Sequence, residues 1–314
     1  MQGLLIKRFG FKGILLGLLI IAGRALPVAA EDAGFTYLGN GRLLNNDVIG
    51  DGEDRWRTGS YSISVLYGSE WQGDLTSRPL DVIAFRLRGE AIAPANVMTP
   101  ALNDRLYAGV LAFGVHSHFN WRGADIVMDA DILGIGPQTG ICELQCDLHE
   151  ALSQPVVNAG NRELQNKTLL DLSFEANNEY AISEGAYLRP FLGLTYGAED
   201  LARVGFDLTL GQWGQNGLRL RDPITGQRFS GIASEEDNGL SLVLGADWAY
   251  VDASEYLPTG HGADAQDERH RLRGGVHYGQ NGYTAFYGVT YLSPEFAGQT
   301  TGQVVGSVSL GWNF

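Results

Sequence analysis

The chain has 314 residues, 44% of them hydrophobic, with 36 acidic against 22 basic side chains and a formal net charge of −14. That balance excludes a binder of nucleic-acid phosphate backbones, which must neutralise its ligand with Lys and Arg. Length alone allows one large domain or two modest ones, either able to bury a core.

At the N-terminus, Lys7, Arg8 and Lys12 precede an apolar run from Gly13 to Gly23, and Val28-Ala29-Ala30 places small residues before Glu31. This reads as a secretory signal peptide over residues 1–30. The run falls short of the about 20 apolar residues that a spanning helix needs, and Arg24 interrupts its extension. Without the four basic residues of that leader the mature chain carries −18, and Lys167 is its only lysine. An acidic exported chain suits divalent cations.

Beyond the leader no long helical periodicity appears; Gly is abundant at 43 residues, and short alternating segments recur. Strands are predicted over 35–46, 58–69, 79–91, 104–117, 122–134, 166–177, 186–197, 201–212, 238–252, 267–279, 283–292 and 303–314. Alternation is clearest late in the chain. His270, Leu272, Gly274, Val276 and Tyr278 share one face, with Arg269, Arg271, Arg273, Gly275 and His277 on the other, and Asn281-Gly282 supplies a hairpin turn. In the last segment Val304, Gly306, Val308, Leu310, Trp312 and Phe314 alternate with small or polar residues. A soluble sandwich shows such faces too. The export signal, with aromatics at strand ends (Trp121, Trp248, Tyr278, Tyr291, Trp312, Phe314), favours a membrane.

The expected fold is therefore all-β: over residues 31–314, a transmembrane antiparallel β-barrel of about twelve strands, with a short helix in a segment on the extracellular side. An even count closes the barrel with both termini periplasmic, which satisfies every backbone group in lipid. Segments 47–57, 92–103, 135–165, 198–200, 253–266 and 293–302 then face outside. Segment 213–237 is long for a periplasmic turn, and the pattern gives no account of it.

Loop alternation brings "NNDVIGDGEDRWRTG" (45–59) and "GPQTGICELQCDLHEALSQ" (136–154) to the same pole. In the second, Ile141, Leu144, Leu148 and Leu152 form an apolar stripe at helical spacing, with Gln145 and His149 in the row beside it. The stripe is expected to rest on the barrel while its flank presents amide and imidazole together. The plainer alternative is a plug helix whose histidine is merely solvated. Cys142 and Cys146 are the only cysteines, and their spacing permits a disulfide only if the backbone there departs from a regular helix. His116 and His118 point inward nearer the periplasmic end; they either bind a metal or simply fill a polar lumen.

"NND" at 45–47, "DRWRTG" at 54–59, "DRLYAG" at 104–109, "LGIGP" at 133–137, "LQCDLH" at 144–149 and "ELQNKT" at 163–168 resemble, in order and spacing, the motifs of the outer-membrane lipid A deacylase family. The resemblance runs from Phe35 to about Phe174; the rest matches only as barrel. It implies an outer-membrane, calcium-dependent (Ca2+) esterase that removes the 3′-linked acyloxyacyl chain from lipid A of lipopolysaccharide in the outer leaflet. By position, His149 matches the catalytic histidine, Gln145 its helix neighbour and Thr58 the family threonine, while Asn46 and Asp47 match the pair tied to calcium and the active site.

The chain departs from the family pattern at three places. Arg57-Thr58-Gly59-Ser60 stands where relatives tend to read Tyr-Thr-Asn-Gly, Pro155 stands where some carry an acidic residue, and Lys167 replaces a frequent glutamate. Asp51, Glu53, Asp54 or Glu150 could make up a missing calcium ligand, although acidic loops are by default solvated surface. A monomer among outer-membrane lipids is expected, with no nucleic-acid partner. The rival readings are a non-catalytic barrel, whether inactive relative or narrow channel, and an outer-membrane phospholipase using Ser153.

Overall fold

The computed structural model describes residues 34–158, 160, 162–234 and 237–312, with Trp312 described by its backbone alone; the leader over 1–30 and the terminal Phe314 lie outside the described residues. In chain order the strands are β1 (Thr36–Asn46), β2 (Trp56–Gly68), β3 (Val82–Ala93), β4 (Ala108–Trp121) and β5 (Ala124–Ile135). After a 3-10 turn (Pro137–Thr139) and helix α1 (Ile141–Ala151) come β6 (Lys167–Asn177), β7 (Tyr180–Ser183), β8 (Ala186–Tyr196) and β9 (Glu199–Leu210). Next are β10 (Leu218–Arg221), β11 (Arg228–Ile232), β12 (Gly239–Ser254), β13 (Glu268–Gln280), β14 (Tyr283–Leu292) and β15 (Gln303–Trp312).

Twelve of these strands form one antiparallel wall in chain-neighbour order. β1 pairs with β15 and β6 with β8, so the sheet closes and leaves no barrel edge unpaired. Most of the long connections gather at one end, taken as extracellular, and tight turns such as Arg122-Gly123 and Asn281-Gly282 at the other, where the links after β2 and β9 are the longer ones. Among the described residues no helix is long and apolar enough to cross a membrane.

Period-2 alternation sorts the side chains as expected. Arg86, Arg88 and Glu90 of β3, and Arg269, Arg271, Arg273 and His277 of β13, are buried inward, while Leu272, Val276 and Tyr278 are exposed outward. Trp121, Trp248, Tyr278 and Tyr291 are exposed too, as rim aromatics on a lipid face would be. The fourth strand starts at Ala108 rather than at the expected 104. Residues 104–107 serve the loops instead: Asp104 accepts from the Ala95 amide at 2.6 Å, and the Tyr107 backbone pairs with Arg162 and Leu164.

Within segment 213–237, for which the sequence pattern gives no account, residues 218–232 fold into the lumen as the β10–β11 hairpin. Leu218, Leu220, Phe229 and Ile232 pack against Leu43, Leu66, Val82, Ala84 and Phe286 on the inner wall. Gly39 and Gly41 admit it: a Cβ on either would lie 2.4 Å from a hairpin carbonyl oxygen. Polar contacts fasten it further, with Arg221 bonding Glu175 and Asp207, Arg219 bonding Glu179, and Asn45 donating to Asp222 at 3.1 Å. The hairpin gains apolar burial that a free periplasmic loop would lack, and it leaves a lumenal cavity of about 210 Å³.

Candidate active site

Helix α1 lies against the outside of the barrel wall. Gly89 of β3 and Gly109 of β4 share the outward parity of Leu87, Leu111 and Phe113, and both sit under the helix start. A Cβ on Gly109 would come within 2.8 Å of Ile141 Cβ and 2.5 Å of Thr139 Oγ1, and one on Gly89 within 3.4 Å of Ile141 Cδ1. Glycine at these two positions is what lets the segment lie flat on the wall. Cys142 and Cys146 complete the seat against Ala93, Val97, Tyr107 and Val157. Both thiols are free, as a regular helix requires at this spacing, and burial pushes Cys142 up to about 12.

The expected seating of the apolar stripe is corrected here. Ile141 touches the wall, but Leu144, Leu148 and Leu152 are 43%, 55% and 61% exposed, and Gln145 is the buried residue of the helix. The wall offers Gln145 a polar partner, since Tyr107 donates its hydroxyl to Gln145 Oε1 at 2.8 Å. The helix is thus turned so that its amide and imidazole row, not its leucines, faces the protein.

That row meets the loop after β1. Gln145 Nε2 donates to Asp54 Oδ1 at 3.3 Å, and His149 Nε2 lies 3.6 Å from Asp54 Oδ2 and 3.4 Å from Gln145 Nε2. On the other side of the ring, His149 Nδ1 is 2.6 Å from the Pro155 carbonyl oxygen, which can only accept. The proton therefore sits on Nδ1, and the Nε2 lone pair faces the Gln145 amide at the edge of the site. Thr58 Oγ1 lies 2.7 Å from Asp54 Oδ1 and 3.1 Å from Asp47 Oδ1. A β-bulge between Trp56 and Gly59 separates it from its neighbour, sending Arg57 into the lumen while Thr58 turns to the site.

Asp47 is fully buried just past the end of β1. Its Oδ2 accepts from the Arg55 amide at 2.8 Å and from Gln303 Nε2 at 3.2 Å. Burial, opposed by the Arg55 hydrogen bond and reinforced by the charges of Asp54 and Asp51, pushes its carboxyl up to about 7. Among the described residues no Lys or Arg side chain bonds Asp47 or Asp54.

Of the residues singled out in the sequence, Asp47, Thr58, Gln145 and His149 are joined in one hydrogen-bonded chain through Asp54. Asn46 is not in that chain: it has the lipid-side parity of Leu44, and its Oδ1 accepts from the Val48 amide at 2.9 Å. Asp54, considered only as a reserve ligand, is the hub. Tyr107 and Gln303 were missed, although Tyr107 lies inside the "DRLYAG" motif. Among the described residues no serine hydroxyl hydrogen-bonds His149, and Ser153 is exposed beyond the helix end. His116 and His118 are buried in the lumen, far along β4, with His116 Nε2 3.1 Å from Asp131.

Among the described residues no three His, Cys, Asp or Glu side chains form a metal-holding group. The donors that do converge are hard oxygens from Asp47, Asp54 and Thr58, with no guanidinium bonded to either carboxylate among the described residues. They fit calcium in kind, but they supply only part of its usual six to eight oxygens.

The family described as "Outer membrane protein LpxR" matches residues 14–314. The chain belongs to the LpxR family. The solved structure of LpxR from Salmonella typhimurium superposes with a TM-score of 0.74 at 15% identity, covering 88% of this chain and 100% of that one. Two other barrels match more loosely and carry no argument. They are the translocator domain of the autotransporter NalP from Neisseria meningitidis (TM-score 0.42, 11% identity, 97% and 98% covered) and the NanC porin (0.41, 6%, 88% and 100%). A search of curated protein sequences finds no match.

With the LpxR family established, this chain is an outer-membrane β-barrel, and its sequence motifs acquire structural roles. In "LGIGP", Gly136 has φ of 90° and lets the loop cross Leu164, whose carbonyl oxygen would lie 2.6 Å from an added Cβ. In "ELQNKT", Asn166 Oδ1 accepts from the Gln138 amide at 2.8 Å, holding the turn that launches α1. Two of the departures are also accounted for. Arg57 is balanced in the lumen by Glu90, Glu199 and Glu295, and Pro155 contributes its carbonyl, which any residue would have, to His149.

Proposed function

We propose that this LpxR-family barrel is a lipid A deacylase that hydrolyses the ester of the 3′-linked acyloxyacyl chain. The observation that carries the reading is the orientation of His149 on the outer wall: its Nδ1 is held by the Pro155 carbonyl, and its Nε2 looks toward Asp54 and Gln145. A substrate of the outer leaflet reaches such a site from the side, without entering the lumen.

In this reading His149 takes a proton from water at Nε2, and the hydroxide formed attacks the ester carbonyl carbon. The Asp54 carboxylate stabilises the imidazolium and steadies the ring, while Gln145, fixed by Tyr107, closes the side of the pocket. The imidazolium then returns its proton to the departing sugar oxygen, so the products are a free acid and a free hydroxyl. Asp47 and Asp54, with Thr58, would hold calcium, which when bound supplies positive charge to the carbonyl oxygen as it becomes an oxyanion. A phospholipase with a serine nucleophile lacks a serine bonded to the histidine among the described residues, and a channel would have to displace the β10–β11 hairpin.

Mass spectrometry of lipid A from cells making the protein is the test. Wild type should yield lipid A lighter by the acyloxyacyl unit, and purified protein should lose this activity in chelator and regain it with calcium. Unchanged lipid A in cells together with no turnover by purified protein in excess calcium would replace the deacylase with a non-catalytic barrel.

A further inference from the structure

The leucine row of α1 is left without a protein partner, and the seating of the helix fixes which way that row points. Cys142 and Cys146 pack against Ala93, at the extracellular end of β3, and against Val97 beyond it. Ile141 instead overlies Gly109, which pairs with Ala91, and its tip reaches Gly89, so it sits nearer the membrane centre than the cysteines. Leu144, Leu148 and Leu152 follow Ile141 at helical spacing, so they lie on its membrane-ward side. Glu143 and Glu150, both exposed, fall about a third of a turn or more from the centre of that row, on the side turned to water, with Asp147 between them and Leu144. Below the helix, the outward residues of the same wall continue the apolar surface: Phe113 and Val115 of β4, Ile132 of β5 and Leu170 of β6 are all exposed.

A single half-exposed leucine needs no explanation. Three in a row, on the lower flank of a helix laid on a lipid-facing wall with Glu143 and Glu150 on the opposite flank, match an interfacial helix. We infer that the leucine flank of α1 is immersed among the acyl chains of outer-leaflet lipid and acts as an interfacial contact. The contact rests on the outer-membrane barrel alone. Its consequence rests on the deacylase reading: the flank borders Gln145 and His149, and so it seats the catalytic edge at the depth where acyl esters meet headgroups.

The purified full chain is placed in phosphatidylcholine bilayers doped with a phosphatidylcholine carrying an aryl diazirine on one acyl chain, irradiated, and its adducts located by peptide mass spectrometry. Adducts are expected on Leu144, Leu148 or Leu152 as well as on the wall at Phe113 and Leu170. Substituting Leu144→Asn with Leu148→Asn should cut helix labelling about tenfold and leave Phe113 labelling in place. A labelled wall beside an unlabelled helix overturns the inference, and an unlabelled wall overturns insertion of the barrel with it. Labelling needs no turnover, so a chain labelled on α1 that leaves lipid A intact keeps this inference and loses the deacylase.

Discussion

Inside the barrel, Asp207 meets Arg221, Arg228 and Arg273, and Asp247 meets Arg203, Arg271 and Arg273. At the extracellular rim, Asp47 and Asp54 meet a threonine, two glutamines, a histidine and a backbone amide, with no guanidinium on either carboxylate among the described residues. Both regions bury carboxylates, yet only the lumen balances them. Paired charges in a dry interior hold a structure in one arrangement, whereas carboxylates without a cationic partner beside an imidazole lone pair are prepared to receive a cation or a proton. The lumen maintains the barrel, and the rim site is hydrogen-bonded but holds its carboxylates without a guanidinium.

The largest effect should come from removing the base. His149→Ala should lower deacylation by about 10²–10⁴-fold while heat-modifiable migration on gels stays unchanged, because no lumenal pair depends on it. If the mutant barrel unfolds at a lower temperature, the separation of the two regions is broken.

The converse change strikes the lumen. Glu295 pairs with Arg57, Arg105 and Arg269, and Glu295→Gln strips buried Arg105 of its counter-charge while Arg57 and Arg269 keep only Glu90 and Glu199. A loss of about 3–5 kcal/mol is expected, read as a lower temperature for the folded-to-unfolded band shift. The same variant should keep the contact between His149 and Asp54.

Gly109→Ala sharpens the comparison from the packing side, since its Cβ meets Thr139 and Ile141 and lifts α1 off the wall. Displacing the histidine by about 1 Å should cost roughly 10²-fold in rate with the barrel intact. The smallest effect is expected from reductant: Cys142 and Cys146 are free, and dithiothreitol should change neither activity nor migration. Sensitivity to it would reveal a bridge that this helix geometry does not allow.

Barrel class, strand count and the inward arginines of β13 were legible because alternation is local: each residue's neighbour of the same parity lies two positions away. The Gln145 and His149 row was legible for the same reason, as helical spacing is local too. Asp54 as hub, Tyr107 as anchor and Gln303 as partner of Asp47 were not, because each contact joins segments far apart in the chain.

By itself the sequence determined the alternating strands, the glycine-rich turns, the amphipathic helix and the order of the family motifs, all of which depend on covalent spacing and local backbone preference. Only the tertiary structure decided that segment 213–237 enters the lumen and that α1 lies outside the wall. The two placements use the same device, glycines facing the incoming segment (Gly39 and Gly41 inside, Gly89 and Gly109 outside), and which partner fills that space is settled by long-range packing. The leucine stripe shows the limit most directly. Its period announced an apolar neighbour, but protein and lipid are equally apolar, and the choice followed from where Tyr107 and Asp54 could satisfy the buried amide of Gln145.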